Sequence, residues 1–88
     1  KELLEESLDD STNKNILEII ENINQVISPH ELKTRRVGNK IIIDIHINVK
    51  NNLSIVEAHK INDEIERKIK KIYGDNTIIN IHTEPEDE

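Results

Sequence analysis

Val37-Gly38-Asn39-Lys40-Ile41-Ile42-Ile43-Asp44-Ile45-His46-Ile47-Asn48-Val49 is the stretch that decides the fold. Successive side chains of a strand point to opposite sides, so Ile41, Ile43, Ile45, Ile47 and Val49 share one face while Asp44, His46 and Asn48 share the other. One face is core and the other is polar. Gly38-Asn39 is a two-residue connection with the glycine that a primed turn favours, which predicts a hairpin of Glu31 to Val37 with Lys40 to Val49. If Val37 pairs with Lys40, the register predicts Glu31 opposite His46, Lys33 opposite Asp44 and Arg35 opposite Ile42.

Helices flank the hairpin. Upstream, Asp9, Asp10, Ser11 and Thr12 are N-cap candidates, and Ile16, Ile20, Ile23 and Ile27 follow at helical spacing, with Ile19 and Val26 widening the stripe. Pro29 restricts the residue before it, so this helix is predicted to stop at Ser28. Downstream, Ser54-Ile55-Val56-Glu57 is a capping box, and Leu53 sits where a hydrophobic staple would. The second stripe is Ala58, Ile61, Ile65, Ile69 and Ile72, with Gly74 as terminator and His59 at the edge of the buried face. A last strand is predicted from Thr77 to Thr83. The order is α-β-β-α-β, an α+β two-layer sandwich. Residues 1–10 read as a short helical or frayed linker, 11–85 as the domain and 86–88 as an acidic tail. The start at Lys1, without a methionine, reads as a piece of a longer chain.

Composition narrows the function classes. A chain of 88 residues is one domain at most, burying only roughly 60% of its unfolded surface, so it is expected to lean on a partner, a metal or both. Its apolar 34% is nearly all Ile, Leu and Val, with Tyr73 the single aromatic. A net charge of −6 and a pI near 5.2 argue against nucleic acid, as does the lack of stacking aromatics. Without cysteine there is neither a disulfide framework nor a thiolate metal site. No apolar run approaches the ~20 residues of a membrane helix, and Lys1 to Glu6 are too charged for a signal peptide. The segment itself is therefore expected to be soluble. Glu31 or Asp63 could be nominated as a general base, but there is no glycine-rich loop, cysteine nucleophile or Ser/His/Asp arrangement, and an enzyme is not expected. The basic cluster Lys33, Arg35, Arg36 and Lys40 reads as a solvated hairpin face.

The chemical signal lies in the four histidines, His30, His46, His59 and His82. Each alone has an ordinary structural use: a turn residue after Ser28-Pro29, a cross-strand partner of Glu31, a solvated helix residue near Asp63, a strand end. Jointly they point elsewhere. His30 and His46 lie near one end of the hairpin, and His82-Thr83-Glu84 places an imidazole and a carboxylate on one face of a strand in the same small sheet. Neutral imidazole and carboxylate suit Zn²⁺ first, while Co²⁺, Ni²⁺, Cu²⁺, Fe²⁺, Mn²⁺ and Cd²⁺ are also compatible.

These residues carry a family resemblance. His30-Glu31-Leu32-Lys33-Thr34-Arg35, Ile45-His46-Ile47, Glu57-Ala58-His59 with Asp63-Glu64-Ile65-Glu66, and Ile81-His82-Thr83-Glu84-Pro85 resemble, in order and approximate spacing, the carboxy-terminal cytoplasmic domain of cation diffusion facilitator transporters. The resemblance spans roughly residues 12 to 85. It implies a metallochaperone-like (ferredoxin-like) fold that forms a homodimer on the cytoplasmic face of the membrane, beneath its own transmembrane domain. It also implies zinc binding by His30, His46, His59, His82 and Glu84 near the dimer interface, as a regulatory metal sensor of efflux. One departure is that a zinc-binding bacterial relative has aspartate where Glu84 stands, which favours a one-ion over a two-ion site. A free-standing metal carrier and a metal-free dimerisation module are the competing readings.

Overall fold

A computed structural model describes residues 5–86 and has the order β1 (Glu5–Ser7), α1 (Asp10–Glu21), β2 (Ser28–Val37), β3 (Lys40–Val49), α2 (Ile55–Tyr73), β4 (Ile78–Pro85). The four strands form one sheet in the order β1-β2-β3-β4, antiparallel except for the parallel pair β3 and β4, whose crossover is α2. Both helices pack on one face. Ile16, Ile20 and Ile23 meet Ile61, Ile65 and Ile69 over Ile41, Ile43, Ile45, Ile47 and Val49, all buried in one cluster. Branched aliphatics with few rotamers fill this interior.

The expected α-β-β-α-β core is present, with one strand added in front. Part of the segment read as a helical or frayed linker is instead the edge strand β1, where Glu5, Glu6 and Ser7 pair with Val37, Arg36 and Arg35. Leu8, from the same segment, packs against the core. Residues 1–4 of that segment lie outside the described residues. Glu84 and Pro85, beyond the strand predicted to end at Thr83, belong to β4. Of the acidic tail, Glu86 is described, and 87–88 lie outside.

Capping chemistry sets the helix starts. Asp9 is the N-cap of α1 and accepts from the Thr12 backbone N–H at 2.9 Å. Hydrogen bonds from Thr12, side chain and then backbone, hold the Asp9 carboxyl below the usual carboxylate value. A lowered folded-state value means that this cap's contribution is complete above the unfolded value near ~3.9 and fades as pH falls through the lower folded one. At α2 the capping box is complete: Ser54 Oγ accepts from Glu57 N–H at 3.0 Å, and Glu57 Oε1 accepts from Ser54 N–H at 2.9 Å. Ser54→Ala should therefore cost about 1 kcal/mol, read as a lower midpoint in urea at unchanged slope. An unchanged midpoint would mean that the cap contributes nothing.

The first helix ends at Glu21, not at Ser28. Asn22 closes it, its side chain donating to Glu18 O at 2.9 Å and its backbone N–H to the same oxygen at 3.2 Å. Gln25 then takes a φ of 78°, and Ile27 N–H donates to Asn48 O at 2.8 Å, which commits the chain to the sheet. Ile23 still reaches the core from the turn, so the apolar spacing outlasts the helix. Ile27 and Ile72, both expected on buried stripes, are 46% and 57% exposed.

Candidate metal centre

The hairpin register holds from Val37↔Lys40 through Arg35↔Ile42 to Lys33↔Asp44, as expected, and then shifts. Three steps along β2, from 33 to 30, span two along β3, from 44 to 46, so His30 and not Glu31 stands opposite His46. This is a β-bulge, and its extra residue lets Glu31 take a left-handed φ of 54°. The consequence is a change of face. In an unbroken strand His30 would lie on the side opposite Lys33 and Arg35, toward the core; the bulge turns it onto the polar side.

Beyond the hairpin, β4 runs parallel to β3 with His46↔His82 and Asn48↔Glu84 in register. His30, His46 and His82 thus form one row across three strands on the face away from the helices. The rings of His30 and His46 are 5.5 Å apart at 40°, and those of His46 and His82 are stacked at 4.7 Å and 16°. Glu84, one step on, points back at the row. Its Oε2 is 3.1 Å from His46 Nδ1, and its Oε1 is 3.7 Å from His30 Nε2. Among the described residues, His30, His46 and Glu84 each offer a ligand atom within 4.8 Å of the other two.

Proton counting indicates what this group accepts. Ser28 O can only accept, so its 3.1 Å contact with His30 Nδ1 places an N–H there, and in the neutral ring Nε2 then keeps a lone pair on the side of Glu84. His46 has carboxylates at both nitrogens, Glu84 at 3.1 Å from Nδ1 and Glu31 at 3.5 Å from Nε2, yet a neutral imidazole has one N–H to give. With neutral imidazoles acceptors outnumber donors, and either a bound cation or a second ring proton would restore the balance. With Zn–N near ~2.0–2.1 Å, donors around a tetrahedral ion sit roughly 3.3 Å apart. The two separations from Glu84, 3.1 and 3.7 Å, bracket that value, while the three donors together lie within 4.8 Å, so side-chain rotation would have to draw them in around an ion.

His82 and His59 stand outside this three-residue group. His82 is held against His46 by stacking, while His59 is exposed on α2. Glu31, read from the sequence only as a cross-strand partner, becomes a neighbour of the centre because the bulge makes room for it. A shallow cleft of about 260 Å³ adjoins Glu84, lined in part by Val49, Leu53, Ile55 and Ala58.

The sequence profile described as cation efflux protein, cytoplasmic domain, matches residues 8–86. This chain belongs to that family. The domain is 35% identical over 83 residues to the cation-efflux pump FieF of Shewanella oneidensis, and 35% identical over 85 residues to protein p34 of Rickettsia prowazekii. These alignments cover 94% and 97% of the domain but 28% of each relative. Among solved structures, it superimposes on the zinc form of CzrB, described as a candidate zinc transporter, with a TM-score of 0.82, 29% identity and 92% of both chains covered. The metal-bound carboxy-terminal domain of the CzcD transporter from Thermotoga maritima gives 0.77 at 27% identity, covering 92% of this domain and 98% of that one. The α+β architecture of the efflux-protein domain is the one these structures share. No helix among the described residues is long and apolar enough to cross a membrane.

Proposed function

We propose that this chain is the metal-sensing cytoplasmic domain of a divalent-cation efflux transporter, that zinc is the ion it senses, and that it works as a homodimer. The observation that carries this reading is the convergence of His30 Nε2, His46 and the Glu84 carboxylate on one sheet face. Zinc is preferred over the other divalent ions because two imidazoles and a carboxylate without thiolates suit it, and because a similar domain, CzrB, has a zinc form. Bound there, the ion would supply the positive charge that Glu84 and Glu31 lack.

The dimer is supported by what lies beside the centre. Ile55 is 77% and Val56 64% exposed at the start of α2, next to the cleft that Glu84 lines. A second subunit would cover this apolar surface. His82 and His59 complete the proposed ligand set, and His59, apart from the other donors in the single chain, would join through the dimer. Metal would then bias the rest of the transporter to the extent that it binds the closed dimer better than the open one.

Zinc titration by calorimetry, with light scattering on the same samples at pH 7.5 and 5.5, tests the proposal. The ligands must be deprotonated, and imidazole ordinarily protonates near ~6.5. Binding at pH 7.5 that tightens a dimer and weakens markedly at pH 5.5 is the expected result. Equal affinity at both pH values would exclude histidine ligation, and no uptake at either would leave a metal-free dimerisation module.

A further inference from the structure

Glu31 is the residue added by the β2 bulge, and its φ of 54° is one that glycine adopts freely and glutamate at a cost. A glutamate in this position points to a use for its side chain. That side chain is 63% exposed, yet its Oε1 lies 3.5 Å from Nε2 of His46. On the other side of the same ring, Nδ1 is 3.1 Å from Glu84. The two sides are not equivalent. Glu84 and His30 gather with His46 as donors, and Glu31 is not one of that group.

Histidines that bind metals pass their second N–H to a carboxylate or carbonyl, which sets the tautomer and aims the lone pair. His30 already has such an acceptor in Ser28 O. We infer that Glu31 is the positioning carboxylate for His46: its Oε1 accepts the Nε2–H, which directs the Nδ1 lone pair to the ion shared with His30 and Glu84. The inference rests on the metal-site reading above. One bulge then performs two tasks, turning His30 onto the polar face and placing the carboxylate that orients His46. A modest rotation of the flexible glutamate shortens 3.5 Å to a good hydrogen bond.

Glycine at position 31 relaxes the backbone and removes the carboxylate, which separates a structural role from a positioning one. Zinc affinity by calorimetry and the His46 ring by long-range ¹H–¹⁵N NMR, on wild type, Glu31→Gly and Glu31→Gln, provide the test. Glu31→Gly should melt no lower than wild type yet bind zinc about 10–100-fold more weakly. Glu31→Gln keeps an oxygen that can accept and should recover part of the loss. Zinc-bound wild type should show His46 protonated at Nε2 and metal-bound through Nδ1. Wild-type affinity in Glu31→Gly, or zinc on His46 Nε2, would overturn the inference while leaving the metal site standing. A wild-type chain that takes up no zinc would overturn both.

Discussion

His46→Ala should weaken zinc binding by more than the roughly 10–100-fold that loss of an outer-shell partner costs a metal site. His46 is central: it faces Glu84 and Glu31 through its two nitrogens and His30 and His82 through its ring. Its removal takes away one proposed ligand and the surface on which His82 stacks. The fold should tolerate the change, because the side chain lies on the sheet face away from the helices and its loss should cost about 1 kcal/mol or less. Affinity and stability are thereby separated. Calorimetric titration beside a urea melt is the check, and a variant that melts like wild type and still binds zinc equally well would remove His46 from the site.

Stability should respond most to Ile65→Ala. Ile65 is fully buried on α2, and truncating a core isoleucine costs about 2–5 kcal/mol from lost transfer energy and the cavity left behind. The gain in helix propensity from alanine, about half a kcal/mol, does not offset this. At ~0.05–0.15 kcal/mol per residue the whole domain has only roughly 4–13 kcal/mol to lose, so a cost at the upper end of the range unfolds most molecules of a domain whose stability lies at the lower end. Ile72→Ala is the informative contrast. Both residues belong to one helical stripe by spacing, but Ile72 is 57% exposed and its truncation should cost under about 1 kcal/mol. Equal shifts of the urea midpoint in the two variants would contradict the packing described for α2.

Much of the fold follows from short-range patterns. Alternation from Ile41 to Val49 set the core face of β3, the capping box started α2, and Gly38, with φ of 64°, made the tight hairpin turn. Each depends on neighbours within about four positions, where steric and hydrogen-bonding rules are local. The spacing of isoleucines near α1 was less decisive, because a turn that faces the same core carries the same apolar residues as a further helical turn. Ile23 is buried either way, and only the bonds of Asn22 and Ile27 show where the helix stops.

The candidate centre was legible as a set of residue types and not as an arrangement. His30, His46, His82 and Glu84 stand out in the sequence because imidazole and carboxylate recur near predicted strand ends, and the sequence alone determined that donor chemistry, together with the α-β-β-α-β order. Which of them meet was decided by tertiary structure. A strand has a period of two, so one inserted residue reverses the face of everything beyond it, and nothing within His30-Glu31-Leu32 announces that insertion. Strand pairing then did the rest: β3 against β4 put His46 beside His82 and brought Glu84 within 3.1 Å of His46, contacts across 36 and 38 positions of sequence that no local rule specifies.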